Sequence, residues 1–179
     1  MAKEKPKDKD KARKTVGQNC DPTILYNSYV QACKSIGIEP YNDLAQIMST
    51  TGEQIMITGT KDDKLSSGGC RALMNALIGK LEGATTSSEP FTTLKDLRIR
   101  SSNIKDSGAL AVATFLSATS GWKQQEVKSA GDVPAPQPDW KLQYLDLSQN
   151  DIRHQGALHI GRSLEVGMNK TLATLVLDF

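Results

Sequence analysis

The residues best equipped for chemistry are two histidines, three cysteines, a Gly-rich tripeptide and a pair of arginines two positions apart. His154 and His159 are the only histidines. One falls in a turn entering a helix and the other on that helix, and neither has a Cys or Ser placed for nucleophilic catalysis. Cys20, Cys33 and Cys70 are odd in number, widely spaced and form no CxxC pair. Such cysteines read as reduced, buried or partly buried thiols in a reducing compartment, with no metal or catalytic role. The HExxH, GxSxG and GxxxxGKS motifs are absent. Ser67-Gly68-Gly69 has the look of a small Gly loop, but it aligns with helix-entry glycines elsewhere in the chain, so a structural role is expected. The expectation is therefore no enzyme, no cofactor and no metal. What remains is recognition chemistry: Arg98, Arg100 and Tyr144, with Asp96, Asp146 and Ser148 around them and Trp122 farther along. Arg, Tyr and Trp are the side chains most often found anchoring protein interfaces.

Those residues need elements to hold them, and the chain supplies these by internal repetition. At an offset of 48, Leu94, Leu97, Ile99, Ile104, Gly108, Ala109 and Leu110 fall on Leu142, Leu145, Leu147, Ile152, Gly156, Ala157 and Leu158. A third copy starts at Leu172, with Leu175 and Leu177 at the same spacing. A divergent copy comes first, with Ile55 and Ile57 in its strand and Leu65, Gly69, Cys70, Ala72, Leu73 and Leu77 behind them. It has about three extra residues around Lys61-Asp62-Asp63. Leu-x-Leu alternation makes a short strand with one buried face. The turn after it needs a polar side chain for its backbone groups, which Asn150 supplies; Ser102 at the matching place predicts a looser ladder there. Gly-Ala-Leu then opens a helix whose small residues permit close packing. One such unit cannot bury its own apolar face, so the units must stack.

Ahead of the repeats, Asp21-Pro22 has the chemistry of a helix start and Gly37 that of a stop. Ile24, Leu25, Tyr29 and Cys33 recur between them at near-helical spacing. A second short helix after Pro40, with Leu44, Ile47 and Met48 buried, ends by Gly52. Residues 20–51 thus form a helical N-terminal cap over the open first edge of the stack. Residues 1–19 form a charged tail. Between Met1 and Lys14, six Lys and one Arg stand against three acids, a side-chain balance of +4. With nothing to bury, it is expected to be disordered, or to touch an acidic surface. Interleaved acids and the lack of aromatics weigh against nucleic-acid binding. The whole chain carries only +2, and no stretch reaches the roughly 20 apolar residues of a membrane span. No signal peptide is visible, so a soluble, intracellular protein is expected.

The repeat L-x-x-L-x-L-x-x-N-x-I-x-x-x-G-A-x-x-[IL] resembles the ribonuclease-inhibitor-type leucine-rich repeat, over residues 52–179. That type also occurs in Ran GTPase-activating proteins, tropomodulins, NOD-like receptors and ciliary scaffold proteins. The resemblance implies an α/β right-handed solenoid with parallel strands on the concave side and helices on the convex side. It places Gln54, Met56, Thr58, Asp96, Arg98, Arg100, Tyr144, Asp146, Ser148, Thr174, Val176 and Asp178 on the concave surface, pointing outward. Residues 117–139 depart from the repeat as a Pro/Ala/Ser-rich loop insertion ending on Trp122 and Trp140. Either it is a tolerated surface loop or it docks a partner through Trp122; Trp140 is expected to pack near the next strand. The chain stops at Phe179 just before the next ladder position, which suggests a fragment or an edge covered by a neighbouring subunit.

The expected function is a non-catalytic scaffold binding a protein partner on the concave face. A place in a cytoskeletal or ciliary assembly, in the cytoplasm, follows from the resemblance alone. Two alternatives stand beside it. One is GTPase activation of the Ran type, although the first repeat's turn holds Lys61-Asp62-Asp63-Lys64 and no Arg. The other is nucleic-acid binding through the basic tail.

Overall fold

The computed structural model describes residues 21–50, 52–80, 89–119, 138–165 and 169–178, and of 48–50 the backbone only. Helix α1 (Pro22–Ile36) begins as its residues require: Asp21 accepts a hydrogen bond from the Thr23 N–H at 2.8 Å, and Pro22 occupies the first turn. It stops at Gly37, where φ is +71° and the N–H donates back to the last turn. The buried stripe is Leu25, Ser28, Tyr29, Ala32 and Cys33. Ile24, expected on that stripe, is instead 45% exposed. The stripe steps through 25, 28–29 and 32–33, and residue 24 lies about 100° around the helix from Leu25.

Helix α2 (Leu44–Thr50) buries Leu44 and half-buries Ile47. The connection between the two helices is stitched from inside: the Tyr41 N–H donates to the buried Tyr29 hydroxyl at 3.0 Å. Burial pushes the Tyr29 phenol well above its usual range. Helix α1 packs on the first repeat's helix, and α2 on its strand.

Four short strands follow: β1 (Gln54–Thr58), β2 (Asp96–Arg100), β3 (Tyr144–Asp146) and β4 (Thr174–Val176). They form one parallel sheet in the order β1-β2-β3-β4. Between them run α3 (Ser66–Ile78), α4 (Lys105–Thr119) and α5 (His154–Ser163), stacked in sequence against one another. Leu97 stands opposite Leu145, 48 residues on, and Leu145 opposite Leu175, 30 residues on, the two spacings of the repeat. The divergent copy pairs Ile55 with Leu97 and Ile57 with Ile99. The leucines and isoleucines of β1, β2 and β3 are fully buried on the helix side, with Leu65, Cys70, Leu73, Leu77, Val112, Phe115, Leu116 and Ile160 packed behind them. This is an α/β leucine-rich-repeat solenoid. At β4, the last strand of the sheet among the described residues, Leu175 and Leu177 are only partly covered.

Tight turns close each repeat. Ser101 and Gln149 sit at φ +50° and +58°, Asn103 and Asp151 at +54° and +53°, matched pairs 48 apart. Side chains other than glycine rarely adopt this region, so tertiary contacts must hold it. Asn150 supplies most of that hold. Its buried amide donates to the carbonyls of Ile99, Leu147 and Ser148, and its oxygen accepts from the Ser102 N–H at 2.8 Å. Ser102 has no such reach; its hydroxyl donates only to Arg100 O, within its own turn.

Packing between repeats also explains the recurrent glycine. A Cβ on Gly156 would lie 2.6 Å from an Asp106 carboxylate oxygen and 2.7 Å from Ile152 Cγ2. The empty space lets Asp106, on α4, accept from the N–H groups of Arg153 and Gly156 at 2.8 and 2.9 Å. Thus α5, which has no capping side chain of its own, is capped by the preceding repeat. The region read as an insertion from 117 begins inside α4, which runs to Thr119. Trp140, expected near the next strand, is buried there with its ring edge-on to Phe115, centroids 5.7 Å apart. Trp122, Cys20 and the tail 1–19 lie outside the described residues.

Candidate protein-binding face

The sheet face turned away from the helices carries the side chains that alternate with the buried ones. On β1 these are Gln54, Met56 and Thr58, all exposed, Met56 by 51%. On β2 and β3 the expected residues form one connected group. Arg98 directs Nε and Nη2 at the Asp96 carboxylate, with Nε–Oδ1 2.9 Å and Nη2–Oδ2 2.7 Å. Its guanidinium lies 4.6 Å from the centroid of the Tyr144 ring on the next strand. Arg100 reaches the same way across to β3, its Nε donating to Asp146 Oδ2 at 2.7 Å and its Nη2 to the same oxygen. Asp146 Oδ1 accepts from the Ser148 N–H at 3.0 Å.

Asp96, Arg98, Arg100, Tyr144, Asp146 and Ser148 are therefore brought together, but in two layers. Asp146 is only 1% exposed and Asp96 is nearly buried, so both lie beneath the arginines and offer a partner little surface. Arg98, Arg100 and Tyr144 form the accessible layer. Burial alone would raise the Asp146 carboxyl, but Arg100 and the Ser148 N–H outweigh it and hold the group below its usual range. The aspartates in turn push both arginines further above their ordinary range. Each cation is fixed in place by a carboxylate under it, so little side-chain freedom is left to lose on binding. Of the remaining expected positions, Thr174 and Asp178 are exposed and Val176 is partly covered.

One wall of this face has no counterpart in the sequence reading. Tyr41, Asp43, Gln46 and Ile47, from the end of the α1–α2 connection and the start of α2, face Met56, Thr58, Arg98 and Arg100 across a groove of about 460 Å³. The four lie on a segment read only as cap, and no periodicity links them to a strand face. Their one signal is that the chain enters β1 a few residues later.

The histidines do not converge on anything reactive. His154 is exposed with its ring nitrogen 3.1 Å from the Gln155 amide, and His159 is half-buried along α5. Cys33 and Cys70 are buried free thiols; burial raises both, Cys70 to about 12. Cys70 donates weakly to Gly108 O at 3.7 Å. Gly68 and Gly69 lie in the first turn of α3, as their alignment with Gly108 and Gly156 predicts. Among the described residues, no group of three His, Cys, Asp or Glu could hold a metal ion, and no helix is long and apolar enough to cross a membrane.

Residues 92–113 and 141–161 match the leucine-rich-repeat family. No curated protein matches the chain. The two matched segments cover β2 with the first part of α4, and β3 with most of α5, the two repeats whose strands pair in register 48 residues apart. Domains of this family generally mediate protein–protein interaction. Parallel ladder, buried asparagine turn and family match together make this chain a leucine-rich-repeat protein.

Proposed function

We propose that this chain is a non-catalytic scaffold that binds a protein partner on the strand face, with Arg98, Arg100 and Tyr144 as anchors and Asp96, Asp146 and Ser148 as their supports. The observation that carries the reading is the doubly held Arg98: gripped by Asp96 at its Nε–Nη2 edge and laid on Tyr144 at 4.6 Å. A guanidinium and an aromatic ring locked together on a rigid sheet form an anchor of the kind that dominates interface energetics. Curvature of the solenoid would make this the concave side, lengthening the contact a partner can make.

Capture of partners from cell extract by the full chain, compared with Arg98→Ala/Tyr144→Ala, tests the proposal. Arg100 is kept in the variant because its loss would uncover buried Asp146 and confuse binding with folding. The specific partners should fall away by about tenfold or more, an interface hot spot being worth at least 2 kcal/mol. Equal capture by both proteins would move the site off this face.

The narrower reading, membership of a cytoskeletal or ciliary assembly, is supported by the sequence resemblance and the Lys-rich segment 1–19. Removing residues 1–19 should lower co-sedimentation with microtubules at low salt, where charge attraction is strongest. Undiminished pelleting would end that reading and leave the scaffold proposal untouched.

A further inference from the structure

We propose that the groove between α2 and the first two strands receives one short partner segment carrying an acidic side chain next to an apolar one, the acid on Arg98 and Arg100 and the apolar group on Met56 and Ile47. This rests on the strand-face reading above and narrows it to one end of the sheet and one chemistry.

Three observations carry it. First, both arginines line the groove, and both commit only the Nε–Nη2 edge to protein carboxylates. Among the described residues, no protein group accepts from either Nη1. A guanidinium keeps two donors there, and a carboxylate pairs with such donors in short charge-assisted bonds. Second, the counter-charges are out of the way. Asp146 is buried beneath Arg100 and Asp96 lies under Arg98, so an incoming group meets the cations before the anions. At close range, distance decides which charge prevails. Third, Met56 is one of only four large hydrophobic side chains exposed among the described residues, and it lines this groove together with half-buried Ile47. An exposed, adaptable Met flanked by fixed cations suits an apolar side chain presented next to an acid.

Asp43 on the α2 wall is the opposing charge. It keeps the acid on the strand side of the groove and disfavours it on the helix side, which gives the segment a direction. A basic segment drawn by Asp43 is the competing occupant, and it would have to meet two cations across the groove.

The test pans a random short-peptide library against the full chain. The strongest peptide is then titrated by fluorescence anisotropy against wild type, Met56→Gln, Arg98→Gln, Asp43→Asn and Tyr144→Ala. Peptides enriched in Asp or Glu beside Leu, Ile, Met or Phe are expected. Their affinity should fall about tenfold in Met56→Gln and in Arg98→Gln, and hold or rise in Asp43→Asn. Peptides enriched in Lys or Arg and weakened by Asp43→Asn would overturn the proposal. Acidic peptides indifferent to Met56→Gln but lost with Tyr144→Ala would overturn the groove and leave the strand-face reading standing. Indifference to all four substitutions would overturn both.

Discussion

Along their strands and turns, the repeats that begin at Leu94 and Leu142 share their buried apolar positions and none of their outward strand positions. Leu94, Leu97, Ile99 and Ile104 reappear 48 residues on as Leu142, Leu145, Leu147 and Ile152, all buried. The outward positions do not repeat: Asp96 becomes Tyr144, Arg98 becomes Asp146, and Arg100 becomes Ser148. Their difference is complementary, since Arg98 lies on Tyr144 and Arg100 pairs with Asp146. Packing holds the inner positions to one size and polarity, because a changed methylene there is felt at once. The outer positions are free to vary, so that is where a partner can be specified. Between the two lies the turn, where the repeats differ in kind: the Asn150 side chain bridges to the preceding coil, and the Ser102 side chain does not.

That last contrast predicts the largest effect. Asn150→Ala would leave the Ser102 N–H and the Ile99 and Leu147 carbonyls without their buried partner, at a cost of about 3 kcal/mol or more. Ser102→Ala loses one local bond and should cost about 1 kcal/mol or less. Urea unfolding of the two variants measures the gap; equal costs would mean that the asparagine bridge adds nothing to the stack.

Breaking the charged cross-strand pair comes next. Arg100→Met strands Asp146 as a buried anion and should cost about 2 kcal/mol at neutral pH, the part-exposed arginine limiting the loss. The pH dependence has a definite sign. In the wild type Asp146 is held below its unfolded value, so its contribution is present above the ordinary carboxylate range. It is lost as pH falls through the lowered native pKa. Without Arg100, burial dominates and the native value rises above the unfolded one, so this group should instead favour folding as acid is added. Denaturation midpoints compared across the acid limb would read the reversal; parallel curves for the two proteins would deny it.

Effects of opposite sign separate two glycines of one helix. Gly156→Ala forces a Cβ against Asp106, Ile152 and Ala109, at 2.6, 2.7 and 2.9 Å, and should cost about 1–3 kcal/mol. A Cβ on Gly161 meets nothing within 4 Å, and Gly161→Ala should stabilise α5 by about 0.5–1 kcal/mol. Thermal denaturation should therefore move in opposite directions for the pair. A shared direction would show that the packing of α5 on α4 is not what the glycine protects.

Much of this architecture was decided by residues close together in the chain. Alternating Leu and Ile set the strands and the 48- and 30-residue registers, because a slip of one would turn every apolar side chain outward. Asp21, Pro22 and Gly37 set the ends of α1, since a cap satisfies backbone groups within its own turn. The identity of the face residues was legible too, being the complement of the buried ones. Four features came only from the tertiary structure: Asp146 sinking under Arg100, Asp106 capping the next repeat's helix, Trp140 settling on Phe115, and Tyr41 to Ile47 forming a groove wall. Each joins groups that stacking brings within a few ångströms of one another but that local spacing does not relate. Periodicity states which side a residue faces; only the packed coils decide which neighbour it meets there.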